Sequence, residues 1–216
     1  MISVLVVDDH ELVRNGIKSL LAGENGIKVI GEAATGEEAI RLTKEMKPDI
    51  VLMDVKMPGI GGLEATHKLI RANPEVKVLV VTAFQEDPFP SRLLQAGAAG
   101  YLTKESSSDE MVHAIRSVHS GQRYVSASIA QQVILSRLNM EPGKCPFELL
   151  SDRELEVMLM ITRGVKVQEI SEKLCLSPKT VNSYRYRIFD KLGIQSDVEL
   201  THLAFRHGLL GDEVIG

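Results

Sequence analysis

The first 120 residues alternate short apolar runs with longer stretches whose apolar residues recur every three or four positions. This alternation predicts strands interleaved with amphipathic helices. The runs are almost continuously apolar, which is typical of parallel strands covered on both faces. The predicted strands are Val4 to Val7, Val29 to Glu32, Ile50 to Met53, Val78 to Val81 and Gly100 to Leu102. Helices between and after them are predicted at Glu11 to Leu21, Thr35 to Met46, Leu63 to Ile70 and residues 109–119. We therefore predict an α/β fold with a five-stranded, doubly wound parallel sheet.

From about residue 150 the apolar period is helical throughout, which predicts a second, all-α domain. Ser151, followed three residues later by Glu154, has the pattern of a capping box at the start of a helix. Further helices are predicted at Val167 to Leu174, Pro178 to about Leu192 and Val198 to His207. The short turn between the first two of these is typical of a helix-turn-helix.

A linker is predicted between the two patterns, at residues 121–149. Pro142, Gly143 and Pro146 stand close together there and interrupt regular structure. The domains are then 1–120 and 150–216. A further helix is predicted within the linker at Ser126 to Leu138, and the pattern does not assign it to either domain.

The charges are divided unevenly between the two halves. Residues 1–122 hold 13 Lys and Arg against 17 Asp and Glu, a net charge of −4, and the remainder holds 12 against 12. This balance predicts no overall attraction to nucleic acid, so any such surface must be local. Cys145 and Cys175 match no metal-binding spacing, and no run approaches the length of about 18 apolar residues that a membrane span needs. We expect a cytoplasmic protein without a membrane partner.

Charged and polar side chains follow four of the predicted strands. They are Asp8 and Asp9 after the first, Asp54 after the third, Thr82 after the fourth and Lys104 after the fifth. The carboxyl ends of parallel strands meet at one edge of a sheet, where ligands bind. We expect these side chains to lie close together.

Three neighbouring carboxylates repel one another unless a cation compensates them. Mg²⁺ suits such oxygen ligands. One carboxylate could then attack a phosphoryl group whose oxygens are held by the metal, Lys104 and Thr82. The alternative is that these are ordinary polar residues in solvated loops at the ends of strands.

Four segments, at residues 6–10, 52–62, 80–83 and 97–104, resemble the signature blocks of the receiver domain of two-component response regulators, which has a flavodoxin-like fold. The resemblance implies that Asp54 accepts a phosphoryl group and that Lys104 pairs with it. It implies further that Mg²⁺ is held by Asp8, Asp9, Asp54 and the backbone carbonyl of Lys56.

The resemblance also implies that Thr82 and Tyr101 form a switch pair. As an aromatic residue in an apolar strand, Tyr101 has the alternative of being ordinary core. One departure is visible, because Glu105 stands where many receivers have a proline.

The helix from Pro178 to Leu192 separates into two sides. Val181, Ile188 and Leu192, with Tyr184 or the stem of Arg185, should pack inward. Segment 177–191 holds four basic residues against one acidic residue. A helix with a polar, basic outer side fits the major groove of double-stranded DNA, although a solvated basic face is the alternative. The candidate DNA contacts are Lys179, Thr180, Asn182, Ser183, Tyr186 and Arg187.

Residues 150–154, 169–171, 176–182 and 191–192 resemble the LuxR/NarL type of DNA-binding domain, and the whole chain is similar to the GacA/UvrY family of response regulators. The resemblance implies phosphoryl transfer from a histidine kinase or its phosphotransfer domain, a homodimer when phosphorylated, and transcription of small regulatory RNAs by RNA polymerase. The apolar face at Leu200, Leu203 and Ala204 resembles the family's dimer contact and could equally be core.

We therefore predict a phosphorylation-dependent transcription regulator and not an enzyme. An Asp-based phosphohydrolase is one alternative, but such enzymes generally carry a second acid two residues after the nucleophile, where Lys56 stands here. A sigma-like module that contacts the polymerase is the other.

Overall fold

A computed structural model describes residues 1–82, 89–139, 146–207 and 209 of the chain. The chain folds into two compact units, Met1–Val133 and Ile134–Gly216. None of the helices in the described ranges is long and apolar enough to cross a membrane.

The first unit is built on a parallel sheet with the strand order β2-β1-β3-β4-β5-β6. Its strands are β1 (Ile2–Val7), β2 (Ile27–Ala33), β3 (Ile50–Met53), β4 (Lys77–Thr82), β5 (Gly100–Thr103) and β6 (Tyr124–Val125). Its helices are α1 (Glu11–Ala22), α2 (Gly36–Met46), α3 (Gly61–Ala72), α4 (Phe89–Gln95) and α5 (Ser108–His119). A further helix, α6 (Ala127–Asn139), begins in the first unit after β6 and ends in the second. The α/β architecture and the five predicted strands are confirmed.

The sheet has six strands and not five. β6 pairs with β5 through Gly100 with Tyr124 and Tyr101 with Val125. A two-residue strand is too short to show a hydrophobic period, so the pattern could not reveal it. The sheet therefore continues past residue 120, where the first domain was expected to end.

The central strands are covered on both faces. All four residues of β3 and all four of β5 are buried. One face of the sheet packs against α1 and α5, which contribute Ile17, Leu21, Ile115 and Val118 to the core. This burial explains the continuous apolar runs in the sequence.

The second unit is helical. Its elements are a 3₁₀ helix (Pro146–Leu149), α7 (Asp152–Thr162), α8 (Val167–Lys173), α9 (Pro178–Leu192) and α10 (Asp197–Arg206). Ser151 and Glu154 form the predicted capping box of α7. Leu155, Ile170, Val181, Ile188 and Leu200 are fully buried and form the core between these helices. The helix-turn-helix prediction is confirmed as α8 and α9. The linker residues Pro142 and Gly143, and also Cys145, lie outside the described residues.

Candidate functional site

The ends of β1, β3 and β5 bring three of the predicted side chains into contact. Lys104 Nζ lies 2.6 Å from Asp8 Oδ2 and 2.8 Å from Asp54 Oδ2. The register of the sheet brings these residues together. The amide of Asp54 donates to the carbonyl of Val7, and the amide of Lys104 donates to the carbonyl of Thr82, both at 2.9 Å. The predicted convergence at one sheet edge is therefore present.

Both carboxylates in this contact are buried, Asp8 at 2% and Asp54 at 3% exposure. Burial raises the pKa of Asp54 above its ordinary value; Lys104 opposes this increase and the charge of Asp8 adds to it. For Lys104, burial lowers the pKa, but Asp54 and Asp8 outweigh that effect and raise it overall. One ammonium thus serves two buried carboxylates, which leaves net negative charge at the site.

Asp9 lies nearer to solvent and is joined by a residue that the sequence pattern did not single out. His10 Nδ1 lies 2.8 Å from Asp9 Oδ1 and 3.4 Å from Asp8 Oδ1. One ligand atom from each of the three residues falls within 4.8 Å of the others, so they could share a metal ion. The signal for His10 was only its position directly after the acidic pair.

The loop after β3 is anchored close to Asp54. The amide of Lys56 donates to Asp54 Oδ1 at 3.4 Å. A Cβ on Gly62 would collide with the carbonyl oxygen of Asp54, so only glycine lets α3 begin this close to the strand end. Glu37 of α2 accepts a hydrogen bond from the amide of Ile60 at 3.0 Å, a contact that sequence reasoning missed.

Thr82 and Tyr101 are both fully buried. A hydrogen bond from Thr82 helps to keep Asp54 ionised, because it lowers the pKa of that carboxyl. Tyr101 lies on β5, beside Val80 of β4. Its burial fits the interpretation as core, and the switch role stays a prediction.

The candidate DNA contacts on α9 differ in exposure. Lys179, Ser183 and Arg187 are exposed, and so is Tyr186 at 64%, while Thr180 and Asn182 are half-buried. Ser177 caps the helix by accepting from the amide of Thr180 at 3.0 Å. On the opposite side Val181 and Ile188 are buried as predicted.

Two other residues of the inner side differ from the prediction. Phe189, which was not predicted to pack inward, is 8% exposed. Leu192 is only half-buried. Because 188 and 189 are adjacent, the helical period alone could not show that both face the core.

Two of the four basic residues in segment 177–191 are paired inside the unit. Arg185 forms two hydrogen bonds to Asp197 of α10, at 2.7 and 2.6 Å, and its guanidinium lies 5.5 Å from the centre of the Phe189 ring. Lys191 Nζ lies 2.6 Å from Glu154 Oε2. Throughout the described part of the chain, Lys179 and Arg187 take part in no ion pair. The basic charge offered outward is therefore smaller than the sequence count suggested.

The apolar face predicted on α10 belongs to the core of the unit. Leu200 and Ala204 have no exposed surface, and Leu203 is half-buried. The exposed apolar side chains of this helix are Val198, at 66%, and Phe205, at 51%. Of the two alternatives for Leu200 and Ala204, the structure supports the core.

Each half of the chain matches a known protein family. Residues 4–116 match the response regulator receiver domain, and residues 148–204 match the bacterial regulatory proteins of the luxR family. The chain therefore belongs to the two-component response regulators that carry a LuxR-family DNA-binding domain, and it is a transcription regulator of that class.

Among its relatives, the response regulator GacA of Pseudomonas aeruginosa is 61% identical over 210 residues, which cover 97% of this chain and 98% of GacA. The response regulator UvrY of Escherichia coli K12 is 58% identical over 215 residues, covering 100% and 99%. The crystal structure of a LuxR-family response regulator from Aurantimonas sp. SI85-9A1 aligns with a TM-score of 0.61 at 40% identity, over 63% of this chain and 97% of that one. The resemblance to the GacA/UvrY family is confirmed.

Proposed function

We propose that Asp54 accepts a phosphoryl group from a histidine kinase or its phosphotransfer domain, and that the phosphorylated chain dimerises and binds double-stranded DNA through α9. The observation that carries the first part is the contact of Lys104 with both Asp8 and Asp54. It places a cation where a phosphoryl group on Asp54 would bring new negative charge.

In the proposed transfer, a carboxylate oxygen of Asp54 forms a bond to phosphorus while the bond from phosphorus to the donor's nitrogen breaks. The donor imidazole leaves with that electron pair. Lys104 then pairs with the phosphoryl oxygens, and the hydroxyl of Thr82 turns to donate to one of them. Tyr101 would respond to the new position of Thr82.

The donor set at this edge fits a hard divalent cation. Asp8 and Asp9 supply neighbouring carboxylate oxygens, which Mg²⁺ prefers, and Asp54 and the backbone carbonyl of Lys56 would complete the proposed set of protein ligands. The imidazole nitrogen of His10 is a poorer ligand for this ion, so we assign His10 no direct bond to it. When bound, Mg²⁺ would offset the charge of the carboxylates and of the incoming phosphoryl group.

For DNA, Arg187 and Lys179 would contact phosphates, while Asn182 and Thr180 would face base edges from the first turns of α9. Ser183 and Tyr186 complete the proposed surface. Transcription by RNA polymerase, control of small regulatory RNAs and a place in the cytoplasm are the finer parts of this proposal. They rest on the family and on the identity with GacA and UvrY.

The proposed domains remain 1–120 and 150–216, joined by 121–149. The family matches at 4–116 and 148–204 support this division. The pairing of β6 with β5 ties the start of the linker to the first domain.

Incubation with acetyl phosphate and Mg²⁺ tests whether Asp54 is the phosphoryl acceptor. We expect the wild type to gain about 80 Da by intact mass, the mass of one phosphoryl group, and to dimerise in sedimentation. Asp54→Asn should do neither, while Asp109→Asn, a surface change in the same domain, should behave as the wild type. An equal gain in Asp54→Asn would remove the assigned acceptor. Steady release of phosphate from small phosphate esters would favour the phosphohydrolase instead.

Fluorescence anisotropy of a labelled duplex tests the DNA surface. Loss of one phosphate contact in Arg187→Gln should reduce the slope of log affinity against log salt by about 0.9. Arg123→Gln removes the same charge from the linker and should leave the slope unchanged. Equal slopes for both variants would contradict the assignment of α9.

A further inference from the structure

Arg14 and Lys18 on α1 and Glu32 on β2 form a series of polar contacts that ends at the backbone carbonyl of Asp8. Arg14 Nη1 donates to the carbonyl oxygen of Asp8 at 2.7 Å. Arg14 Nε lies 3.6 Å from Glu32 Oε2, and Glu32 Oε1 accepts from Lys18 Nζ at 2.5 Å. The Arg14 side chain is only 15% exposed, whereas those of Glu32 and Lys18 are 32% and 41% exposed, so it is Arg14 that is shielded from much of the solvent.

The positions of these residues explain why the guanidinium is held in one place. Arg14 and Lys18 are four residues apart and lie on one side of α1, facing Glu32 on the neighbouring strand. The two carboxylate oxygens of Glu32 contact Arg14 and Lys18, respectively. A planar guanidinium with one edge toward a carboxylate and a terminal nitrogen on a carbonyl has little freedom to rotate.

The contact with Arg14 completes a set of bonds around Asp8. The Asp8 amide donates to the carbonyl of Ala33 at 3.1 Å, and Oδ1 accepts from the amide of His10 at 2.9 Å. Oδ2 is taken by Lys104. The carbonyl belongs to the peptide that joins Asp8 to Asp9, so its direction decides where the Asp9 side chain starts.

We propose that Arg14 is a positioning residue, which orients the peptide between Asp8 and Asp9 so that both carboxylates can bind one divalent cation, and that Glu32 keeps Arg14 in place. This inference rests on the proposed function, in which Asp8 and Asp9 hold Mg²⁺. Residues behind the ligands of a metal commonly set its affinity by orienting them.

The charge of Arg14 taken alone makes the opposite prediction. A cation beside the acidic cluster repels Mg²⁺, so removing it would tighten binding if charge were its only influence. Loss of orientation would weaken binding. The sign of the change therefore separates the two explanations.

The test is a Mg²⁺ titration of the full-length, ¹⁵N-labelled protein without a phosphoryl donor, at constant pH, followed at the backbone amides of Asp9 and Asp54. We expect Arg14→Gln to weaken the Kd by about 10-fold, the lower end of what loss of such a supporting residue costs. Arg14→Lys keeps the positive charge but lacks the planar guanidinium that contacts two partners, so this variant should also bind Mg²⁺ more weakly. Glu32→Gln leaves Arg14 in the chain and should weaken Mg²⁺ binding less than Arg14→Gln does.

Arg41→Gln is the matched control, because Arg41 is also ion-paired on a receiver helix, 3.1 Å from Glu45. Its Kd should equal that of the wild type. Unchanged or tighter binding in folded Arg14→Gln would overturn the inference. If that variant does not fold, unchanged binding in both Arg14→Lys and Glu32→Gln would overturn it. A wild type whose Asp9 and Asp54 amides do not respond to Mg²⁺ would instead overturn the metal assignment of the proposed function, and the inference with it.

Discussion

Each half of the chain buries a carboxylate against a lysine. Asp54 in the receiver and Glu154 in the DNA-binding domain are each 3% exposed, with a lysine Nζ at 2.8 Å and 2.6 Å. Burial raises the pKa of Asp54, with Lys104 only partly opposing it. Burial also acts to raise the pKa of Glu154, but Lys191 and the bonds to Ser151 outweigh it and lower that pKa.

The difference lies in how many acids share each lysine. Lys104 divides its charge between Asp54 and Asp8. Glu154 has Lys191 at Oε2 and also accepts from the amide of Ser151 at 2.7 Å. A carboxylate whose charge is fully compensated stabilises its domain, whereas one that shares its partner is held at a cost in stability. Such a cost is common where a group must react.

The largest expected effect is on the DNA-binding domain. Glu154→Ala removes the side-chain half of the capping box of α7 and the partner of Lys191, whose own side chain is 40% exposed. We therefore expect the free energy of unfolding of this domain to fall by about 2 kcal/mol. Urea unfolding followed at the amide signals of α9 measures it. Glu169→Gln, an exposed acid on α8, should change it by less than about 0.5 kcal/mol. A loss as small as the control's would show that the contacts of the buried Glu154 carboxylate contribute nothing to stability.

A smaller effect of opposite sign is expected in the receiver. Asp54→Asn relieves the repulsion with Asp8 and leaves Lys104 to that single carboxylate. The free energy of unfolding of this domain should rise by about 1 kcal/mol, the size typical of relieving strain at a functional site. Urea unfolding in metal-free buffer, followed at the amide signals of β3, measures the change. A clear loss of stability would mean that Asp54 is as well compensated as Glu154.

The same contrast marks how far the sequence could predict the structure. β3 and the position of Asp54 at the sheet edge were predicted correctly, because a buried parallel strand is continuously apolar and its polar successor lies at that edge. The pairing of Lys191 with Glu154 spans 37 residues and depends on how α9 crosses α7, which no local pattern records.

Two further differences between prediction and structure also arise from packing between helices, which the local sequence pattern does not record. The sequence counted Arg185 among the basic residues of the proposed DNA-binding helix, or placed its aliphatic stem on the inner side. In the structure its guanidinium binds Asp197, because α10 begins beside α9. Leu200 and Ala204 had an apolar period that suits either a core or a dimer contact, and only the packing of α10 on α7 decides between them. The contacts of Arg14 were not predicted, because they join it to a backbone carbonyl and to a side chain on another element, which no local pattern records.

The smallest expected effect is a dependence on pH, and it tests the comparison most directly. The lowered pKa of Glu154 means that its contribution to stability is present above the ordinary glutamate pKa of about 4.3 and is lost as pH falls through the folded value. The raised pKa of Asp54 works the other way: the folded receiver is favoured below the ordinary aspartate pKa of about 3.9 and loses that advantage as pH rises through the folded value.

Acidification should therefore shrink both mutational differences, but in different pH ranges: that of Asp54→Asn as pH falls through the raised folded pKa, and that of Glu154→Gln only below about pH 4.3. Above its own range each gap should be constant, with Glu154→Gln the less stable protein and Asp54→Asn the more stable one, and within that range it should close by roughly a few tenths of a kcal/mol per pH unit. Urea titrations of both variants and the wild type in metal-free buffer at several pH values between about 3 and about 7 cover both ranges and measure the gaps. A receiver gap that widens toward acid would mean that ionised Asp54 stabilises its domain, and the contrast between the two buried carboxylates would then be wrong.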